Sequence, residues 1–315
     1  MALKTSIDTL KEAIGQSLQN VPAVVESAQR ALTDVSTQAG GVDTDISGLK
    51  VDVSDIKNII ADNAGAHNAI YRGKNLGNSV TAAQYAAIEA GTFDDMYIGD
   101  YWEINSVKWR IAHFDYWLGT GDVKCTDHHV VIVPDETLYN SPMNAESETT
   151  GGYYSSAMRG GANYLIEDSS ALYQAYETVK TTFGETHILT HRSMLSNAVT
   201  SGNASAWSWY DSKIEIMSEL MIIGALAWSV GGKGFEIGVE KDQLELFKKD
   251  ISKSNNNSDY WLRGICTSTT FVFMDSNGRM ARNSANENYG VRPVFAIKGN
   301  TETRKPIPPS EPDER

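Results

Sequence analysis

The sequence predicts an α+β domain that is preceded by an extended α-helical coiled-coil region. Two observations lead to this prediction. Residues 1 to about 65 contain no Phe, Trp or Tyr and carry a helical repeat of apolar residues, whereas every aromatic residue lies between there and residue 299. That second part mixes short apolar strand patterns with helical ones. We therefore divide the chain into a coiled-coil region (1–68), a mixed domain (69–299) and a Pro-rich extended tail (300–315).

The coiled-coil region carries apolar or small residues whose spacing alternates between three and four, which is a heptad pattern. Pro22 fits the first turn of a helix that Asn20 caps, so the pattern predicts one helix over about 4–19 and a second over about 21–38. Gly40-Gly41 interrupts the pattern before it resumes. The candidate oligomerisation residues on this stripe are Ile7, Leu10, Ile14, Val21, Val24, Val35, Ile46, Leu49, Val53 and Ile56.

The apolar stripe is narrow, and helices without aromatic residues build only a small core. Such helices need partner helices, so we expect a homo-oligomer, with a trimer as the expected state, or docking to a host assembly. The alternative is a helical hairpin within a single chain.

The mixed domain begins after a predicted linker at 63–66. A helix over 81–90 is predicted from a capping box of Thr81 and Gln84 and from Gly91 at its end. Other patterns predict the remaining elements in chain order. These are a hairpin of 101–104 with 107–113 around Asn105-Ser106, a buried strand at 128–134, a helix at 169–183, a strand or buried helix at 217–228, and a hairpin of 271–274 with 279–282.

Composition excludes several classes of protein. The formal net charge is −13, which argues against a nucleic-acid partner because phosphate binding needs a positive field. No apolar run approaches the roughly 20 residues of a membrane span, and the N-terminus lacks the apolar core of a signal peptide. The two cysteines, Cys125 and Cys266, are predicted to be free, buried thiols.

A search for catalytic and metal-binding motifs gives no positive result. Gly231–Gly234 lacks the strand and the hydroxyl residue of a phosphate loop, so it is interpreted as a turn. His128-His129 would point to opposite faces of a strand, and His187 with His191 lacks a third ligand at metal spacing. We therefore expect no metal, no cofactor and no enzymatic activity.

Four aromatic-rich segments carry a resemblance to a known family. They are 101–104 (YWEI), 107–111 (VKWRI), 260–263 (YWLR) and 290–295 (GVRPVF). Together they resemble the C-type-lectin-fold domains of phages and prophages of Gram-positive gut bacteria. These domains are related in fold to the formylglycine-generating enzyme and to phage variable receptor-binding proteins. The resemblance covers about residues 70–299.

The resemblance implies a central twisted sheet and a binding surface between the YWLR and GVRP segments. Polar and aromatic residues without core periodicity fill that stretch, a mixture that suits an adaptable binding surface. We call these ligand-binding candidates the presented face: Thr267, Ser268, Thr269, Asn277, Arg279, Arg282, Asn283, Ser284, Asn286, Glu287, Asn288 and Tyr289. Trp207, Trp209 and Tyr210 are possible accessory contacts, with packing over the sheet as the alternative.

The chain also departs from the relatives that this resemblance suggests. The cysteine pair of the formylglycine-generating enzyme and the calcium motifs of sugar-binding lectins are both missing. Among the aromatic residues, Trp102, Trp109, Tyr260 and Trp261 are predicted to be core. Arg263 and Arg292 are predicted to be structural, bonding to loop carbonyls or to a buried carboxylate.

The resemblance predicts a phage virion fibre or decoration protein that presents a C-type-lectin-like head for host-surface adhesion. The expected partners are other copies of the chain, other virion proteins bound through the N-terminal helices, and a host cell-surface receptor, for which a glycan is one candidate. No nucleic acid and no membrane insertion are expected. The expected location is the capsid surface or tail of the virion, after synthesis in the host cytoplasm without a signal peptide. The alternative is a purely structural capsid or tail decoration protein without a host ligand.

Overall fold

The computed structural model describes residues 4–6, 8, 9, 21–38, 64–161, 169–228, 242–255 and 257–312. Residues 4–6, 8 and 9 are helical, within the first predicted helix. Helix α1 (Val21–Gln38) has the bounds that were predicted for the second helix, with Pro22 in its first turn. Asn20, Gly40-Gly41 and the third predicted segment lie outside the described residues.

The predicted oligomerisation stripe is described only in part. Val21, Val24 and Val35 lie in α1, and the other seven candidates lie outside the described residues. Ala28, on the same helix, is 1% exposed in a single copy of the chain. At this position, therefore, the helix is already covered within one copy.

The prediction of a linker at 63–66 is wrong. Helix α2 (Ala64–Ala69) occupies this stretch, and its residue His67 is 1% exposed. The His67 ring stacks on Tyr97 at 5.0 Å, and its Nδ1 lies 2.6 Å from the carbonyl oxygen of Met96. Packing of the mixed domain thus begins before residue 69, because His67 and the Asn68 amide, which bonds to the Phe114 backbone at 2.8 and 2.9 Å, hold a short helix whose other residues are Ala and Gly.

The local signals near the start of the mixed domain are confirmed. Helix α3 (Ala82–Ala90) begins with the predicted capping box and ends at Gly91 in the left-handed conformation. Strands β1 (Tyr101–Ile104) and β2 (Val107–Phe114) pair around Asn105 and Ser106. These two residues have φ of 53° and 64°, which is the conformation that a two-residue hairpin turn requires.

The first sheet has the order β1-β2-β3-β12-β7, and all its pairs are antiparallel. Strand β3 (His129–Pro134) confirms the buried strand predicted at 128–134. Helix α4 (Ala171–Phe183) confirms the helix predicted at 169–183, and Ser170 is its N-cap. The Phe183 ring contacts the rings of Trp109 and Phe295 edge-on or tilted, at 5.6 and 5.4 Å. The other strands of this sheet are β7 (Ile214–Ile216) and β12 (Pro293–Lys298).

The second sheet has the order β10-β9-β8-β11-β4, so β10 is an edge strand. The predicted hairpin is confirmed: β9 and β10 pair across the turn that contains Gly278, whose φ is +78°. Strand β11 runs parallel to β8, with Gly290 opposite Tyr260, which brings the YWLR and GVRP segments together. The strands are β4 (Tyr139–Ser141), β8 (Tyr260–Ile265), β9 (Thr270–Met274), β10 (Met280–Ser284) and β11 (Tyr289–Val291).

Outside the two sheets, the described residues form a long hairpin and several short helices. The stretch 217–228 was predicted to be a strand or a buried helix, and the buried helix is correct only for α5 (Glu219–Ile223), which ends at Gly224, because the following residues reach the surface. The hairpin consists of β5 (His191–Thr200) and β6 (Asn203–Ser212). The short helices are α6 (Glu245–Lys249) and the 3₁₀ segments Glu185–His187 and Ile251–Ser254.

The Pro-rich tail is without helix or strand as far as residue 312 and lies against the β5–β6 hairpin. The Arg192 guanidinium donates to the carbonyls of Ile307 and Pro308 at 3.2 and 3.0 Å. The backbone N–H of Ile307 donates to Asp211 at 2.8 Å. The tail is therefore attached to the sheeted part by buried polar groups.

The core predictions for the aromatic-rich segments are confirmed. Trp102, Trp109, Tyr260 and Trp261 are each at most 1% exposed. Arg292 is fully buried and donates to the carbonyls of Pro134, Lys253 and Ser254 and to the Tyr260 hydroxyl. The architecture is therefore a mixed α and β one in which sheets dominate the C-terminal part. No helix of the described residues has both the length and the apolar character to cross a membrane.

Candidate functional site

None of the twelve presented-face residues is buried. The half-buried members are Thr267, Asn283, Ser284 and Tyr289. The exposed members are Ser268, Thr269, Asn277, Arg279, Arg282, Asn286, Glu287 and Asn288. Three of them lie in the β8–β9 turn, Asn277 and Arg279 in the β9–β10 turn, three on edge strand β10, three in the β10–β11 connection, and Tyr289 on β11.

The structure divides the presented face between the two ends of the β9–β10 hairpin. Asn277 and Arg279 lie in the connection from β9 to β10. The 267–269 turn and the residues after β10 lie at the opposite end, where the backbone N–H of Ala285 donates to the Thr269 carbonyl at 2.9 Å. Each strand has 5 residues, so the two ends are about 16 Å apart. A small ligand would therefore contact only one of these groups.

A cleft with a volume of about 460 Å³ opens at the end that contains the 267–269 turn. We call it the hydroxyl cleft, because five of its lining side chains carry a hydroxyl group. The β5–β6 connection, the 149–150 segment and the β8–β9 turn form its walls. Its lining residues are Thr149, Thr150, Val199, Ser201, Gly202, Asn203, Cys266, Thr267 and Ser268.

Hydrogen bonds hold two walls of the hydroxyl cleft together. Thr149, which is fully buried, donates its N–H to the Ser268 carbonyl at 3.0 Å and its hydroxyl to the Thr267 carbonyl at 2.9 Å. Gly202, with φ of +81°, lies so close that a Cβ there would be 3.2 Å from the Ser268 nitrogen. The cleft is thus held by backbone contacts between segments that are far apart in sequence.

Arg282 lies at the margin of the hydroxyl cleft. Its Nη1 is 3.6 Å from the sulfur of Cys266, one of the lining residues. Its guanidinium carbon lies 5.5 Å from the centre of the Trp228 ring, and Trp228 Nε1 donates to the Met280 carbonyl at 2.9 Å. Trp228 is 41% exposed. Trp228 was not predicted as a site residue, because it ends an apolar run that is typical of a buried element.

Two half-buried members of the presented face have a structural role. The Tyr289 ring packs on Phe273 at 4.5 Å and on Trp261 at 4.8 Å. The Tyr289 hydroxyl accepts a hydrogen bond from the side-chain amide of Asn283. These contacts fix the connection between β10 and the GVRP segment, so the exposed members are better candidates for ligand contact.

Of the possible accessory contacts, Trp209 and Tyr210 are packed and Trp207 is half-buried. Tyr210 is 4% exposed, and its ring stacks on Tyr154 at 4.0 Å. The backbone of Trp209 bonds to Ser310 of the tail in both directions. Exposure of Trp209 and Tyr210 was therefore the wrong alternative, because another loop and the tail cover them.

The histidines considered as metal ligands make separate structural contacts. His187 stacks on Tyr85 at 3.7 Å, and His191 stacks on Trp117 at 3.7 Å. Burial lowers the pKa of His191 well below its usual range. Among the residues that the structure describes, no group of three or more His, Cys, Asp and Glu side chains is arranged to hold a metal ion. Gly231–Gly234, interpreted above as a turn, lies outside the described residues.

The adjacent pair His128-His129 is fixed by one carboxylate. Asp115 Oδ2 lies 2.7 Å from His128 Nδ1, and Asp115 Oδ1 accepts the backbone N–H of His129 at 2.9 Å. The Nε2 of His129 accepts the backbone N–H of Trp117 at 3.0 Å. These bonds hold the loop before β3 in place.

Both cysteines are free thiols, as predicted. Cys266 is buried, whereas Cys125 is half-buried, so the prediction of burial is correct for only one of them. Partial burial raises the pKa of the Cys125 thiol to about 11. A thiol with this pKa is almost entirely protonated at neutral pH, which makes it a poor nucleophile.

Comparison with known proteins gives one match. Residues 186–299 match the model of a family that is described as a domain of unknown function (DUF6273). The matched stretch begins just before β5 and ends just after β12, so it includes the presented face and omits β1 to β3. No curated protein and no solved structure matches the chain.

Proposed function

We propose that this chain is a phage virion protein whose C-type-lectin-like domain is displayed for adhesion to the host surface. The observation that carries the proposal is the placement of the presented face. The residues chosen by resemblance lie on edge strand β10, in the turns at both ends of the β9–β10 hairpin and at the start of β11, and none of them is buried.

The contrast between the presented face and the sheet behind it supports a binding role. Strands β8 and β9 bury Tyr260, Trp261, Phe271 and Phe273, so the sheet is rigidly packed. The eight exposed residues of the presented face are all polar. A fixed scaffold with adaptable polar side chains at its edge is typical of binding surfaces.

The pairing of the motif strands supports the C-type-lectin-like part of the proposal. Tyr260 lies opposite Gly290 in adjacent strands, and Arg292 donates to the Tyr260 hydroxyl at 3.3 Å. Two segments that the resemblance links are therefore in direct contact, as a common structural frame requires.

The lining of the hydroxyl cleft favours binding over catalysis. The described residues that line it include no His, Asp, Glu, Lys or Arg, and their one thiol, Cys266, is buried. General acid–base chemistry needs such a group within hydrogen-bond reach of the reacting atoms. We therefore propose a non-enzymatic role.

The N-terminal helices would attach the chain to the virion and bring several copies together. Multivalent display strengthens adhesion without any new contact, because the second binding event becomes intramolecular. A weak binding site on each copy is then sufficient for adhesion.

A purely structural decoration protein is the second candidate. The observation that favours it is the position of β10 at the edge of its sheet. An edge strand presents backbone groups that can pair with a neighbouring chain. In that case the presented face would contact another virion subunit.

Binding of the labelled full chain to a panel of Gram-positive gut bacteria tests the proposal. A face variant would carry serine at the exposed positions Arg279, Arg282 and Asn286, which leaves the packed Tyr289 intact. A matched control would carry serine at Glu89, Glu103 and Lys108, which are exposed on other elements.

The adhesion proposal expects the chain and the control variant to bind cells, and the face variant to lose most of the binding. Equal binding by the face variant would show that the contact surface lies elsewhere. No binding of the unchanged chain to any strain would favour the decoration protein.

A further inference from the structure

Arg282 is an exposed cation in an acidic chain, whose formal net charge is −13. Within the described part of the chain it makes no ion pair, and its guanidinium instead contacts the Trp228 ring and the Cys266 sulfur. Most other arginines of the sheeted part are in a different situation. Arg72, Arg110, Arg159 and Arg192 each pair with a carboxylate. The positive charge of Arg282 is therefore available to an external anion.

Trp228 holds the Arg282 side chain in place. The indole is anchored by its bond to the Met280 carbonyl, two residues before Arg282 on the same strand. An arginine that rests against an aromatic ring loses less rotamer freedom when it binds an anion. The guanidinium also offers several N–H groups that match the two oxygens of a carboxylate or a phosphate.

The hydroxyl cleft supplies a second, different kind of recognition next to this cation. Thr150, Ser201 and Ser268 are exposed and carry hydroxyl groups, which donate and accept hydrogen bonds at the same time, whereas the hydroxyls of Thr149 and Thr267 already bond within the protein. The amide of Asn203 does both as well. A saccharide presents hydroxyl groups with the same dual capacity. The volume of about 460 Å³ lies within the range of small-ligand pockets.

We propose that the hydroxyl cleft and Arg282 form one binding site for an acidic saccharide. The hydroxyl groups of the sugar lie in the cleft, and its carboxylate or phosphate pairs with Arg282 beside Trp228. This inference rests on the proposed adhesion function and names its ligand class. A neutral sugar would leave the cation unused, and an acidic peptide offers backbone groups that only donate or only accept, where a sugar offers hydroxyl groups that do both.

Titration calorimetry of the full chain with matched pairs of oligosaccharides tests this site. Tetragalacturonate and its methyl ester share the same sugar hydroxyl groups, and the ester replaces each carboxylate with a neutral group. Pentamannose 6-phosphate and pentamannose differ only in the phosphate. The first pair tests a carboxylate source and the second a phosphate source, and polyglutamate tests an anion without sugar hydroxyl groups.

At least one acidic saccharide should bind about tenfold or more tightly than its neutral partner, which is the contribution of one charged hydrogen-bonded pair. Arg282→Gln should abolish this difference, and Arg282→Lys should restore part of it. Trp228→Ala should weaken acidic-saccharide binding. Lys108→Gln removes another exposed cation that lies over an aromatic ring, that of Tyr101, and should leave the affinity unchanged.

Three results would overturn the inference: no preference for either acidic saccharide, an unchanged preference in Arg282→Gln, or equally tight binding of polyglutamate. Cell adhesion separates this failure from failure of the proposed function. If cells are bound while the saccharide preference is missing, only the ligand class is wrong. If no cells are bound, the adhesion function fails, whatever the saccharides do.

Discussion

At the scale of single residues, Glu215 and Arg159 form an ion pair inside the protein. Glu215 lies between two isoleucines in β7 and is 2% exposed, and Arg159 is fully buried. Arg159 Nε lies 3.1 Å from Glu215 Oε1, while Tyr153 and Ser212 donate hydroxyl groups to the same carboxylate at 2.7 and 2.8 Å. Burial, and after it the Glu215 charge, raise the pKa of Tyr153 well above its usual range, so it remains a donor.

Removing one partner of this pair should be costly. Glu215→Leu leaves the Arg159 guanidinium buried without its carboxylate, so we expect a loss of about 3–5 kcal/mol in the free energy of unfolding. Urea denaturation measures this loss. The matched control, Glu103→Leu on the exposed position of β1, should change stability by less than about 1 kcal/mol. Equal losses in the two variants would contradict the structural role of the pair.

His113 gives a prediction for the pH dependence of stability. The ring is 9% exposed, and burial lowers its pKa to about 4. The unfolded chain, with an ordinary histidine pKa near 6.5, binds the proton first. The stability that the neutral ring contributes is therefore complete above about pH 6.5 and is lost as the pH falls toward 4, with a slope of up to about 1.4 kcal/mol per pH unit.

The pH effect can be checked by urea denaturation between these two pH values. His113→Gln should reduce the slope by about the contribution of one histidine. His191, whose pKa is also lowered by burial, should retain its own contribution in that variant. A slope that does not differ between the chain and the variant would show that His113 is not buried in neutral form.

At the scale of elements, the GVRP segment contains a glycine whose backbone lies close to neighbouring residues and an arginine that is buried. Gly290 has no room for a side chain, since a Cβ there would lie 2.3 Å from Thr137 Cγ2 and 2.9 Å from the Asp259 carbonyl oxygen. Arg292 then donates to carbonyls of two separate segments, Pro134 at the end of β3 and Lys253 and Ser254 in the 3₁₀ segment. Strand β11 is therefore fixed between β8 and β4 by contacts that tolerate little change.

Gly290→Ala should destabilise the protein by about 1–3 kcal/mol, because overpacking forces the neighbouring backbone to move. The thermal midpoint should fall accordingly. Gly119→Ala is a useful control, since its Cβ would meet nothing within 4 Å and only the positive φ of +73° opposes it. Its loss should be about 1 kcal/mol, the cost of a left-handed backbone for a residue with a Cβ. A Gly290→Ala protein as stable as the unchanged chain would contradict the packing at β11.

At the scale of the whole molecule, the N-terminal helices determine how many copies associate. The heptad stripe predicts a homo-oligomer, with a trimer expected. The burial of Ala28 within one copy is in line with the alternative, a helical hairpin inside one chain. Adhesion through weak single sites would depend on whether the homo-oligomer or the hairpin is present.

Light scattering of the full chain distinguishes these states. We expect the mass of a trimer for the full chain and of a monomer for a chain that begins at Ala64, because α2 and all later elements remain in it. Circular dichroism would check that the shortened chain is folded. A monomeric full chain would rule out oligomerisation through the helices and favour the hairpin.

The sequence by itself determined the elements whose signals are local. The capping box of Thr81 and Gln84, the Asn105-Ser106 turn and the β9–β10 hairpin lie where they were predicted, because neighbouring backbone atoms and short side chains decide these conformations. The helix at 21–38 follows from the position of Pro22 and from the repeat. The polar character of the presented face was also apparent from sequence, since no packing pattern constrains it.

Only the tertiary structure decided what depends on contacts between distant segments. The helix at Ala64–Ala69 replaced a predicted linker because His67 is covered by residues about thirty positions away. Trp228 is exposed at a sheet edge although its surroundings in sequence are apolar, and Trp209 is covered by the tail. The hydroxyl cleft joins three segments that no sequence pattern links. Burial and cleft formation are properties of the assembled chain, whereas caps and turns are properties of a few adjacent residues.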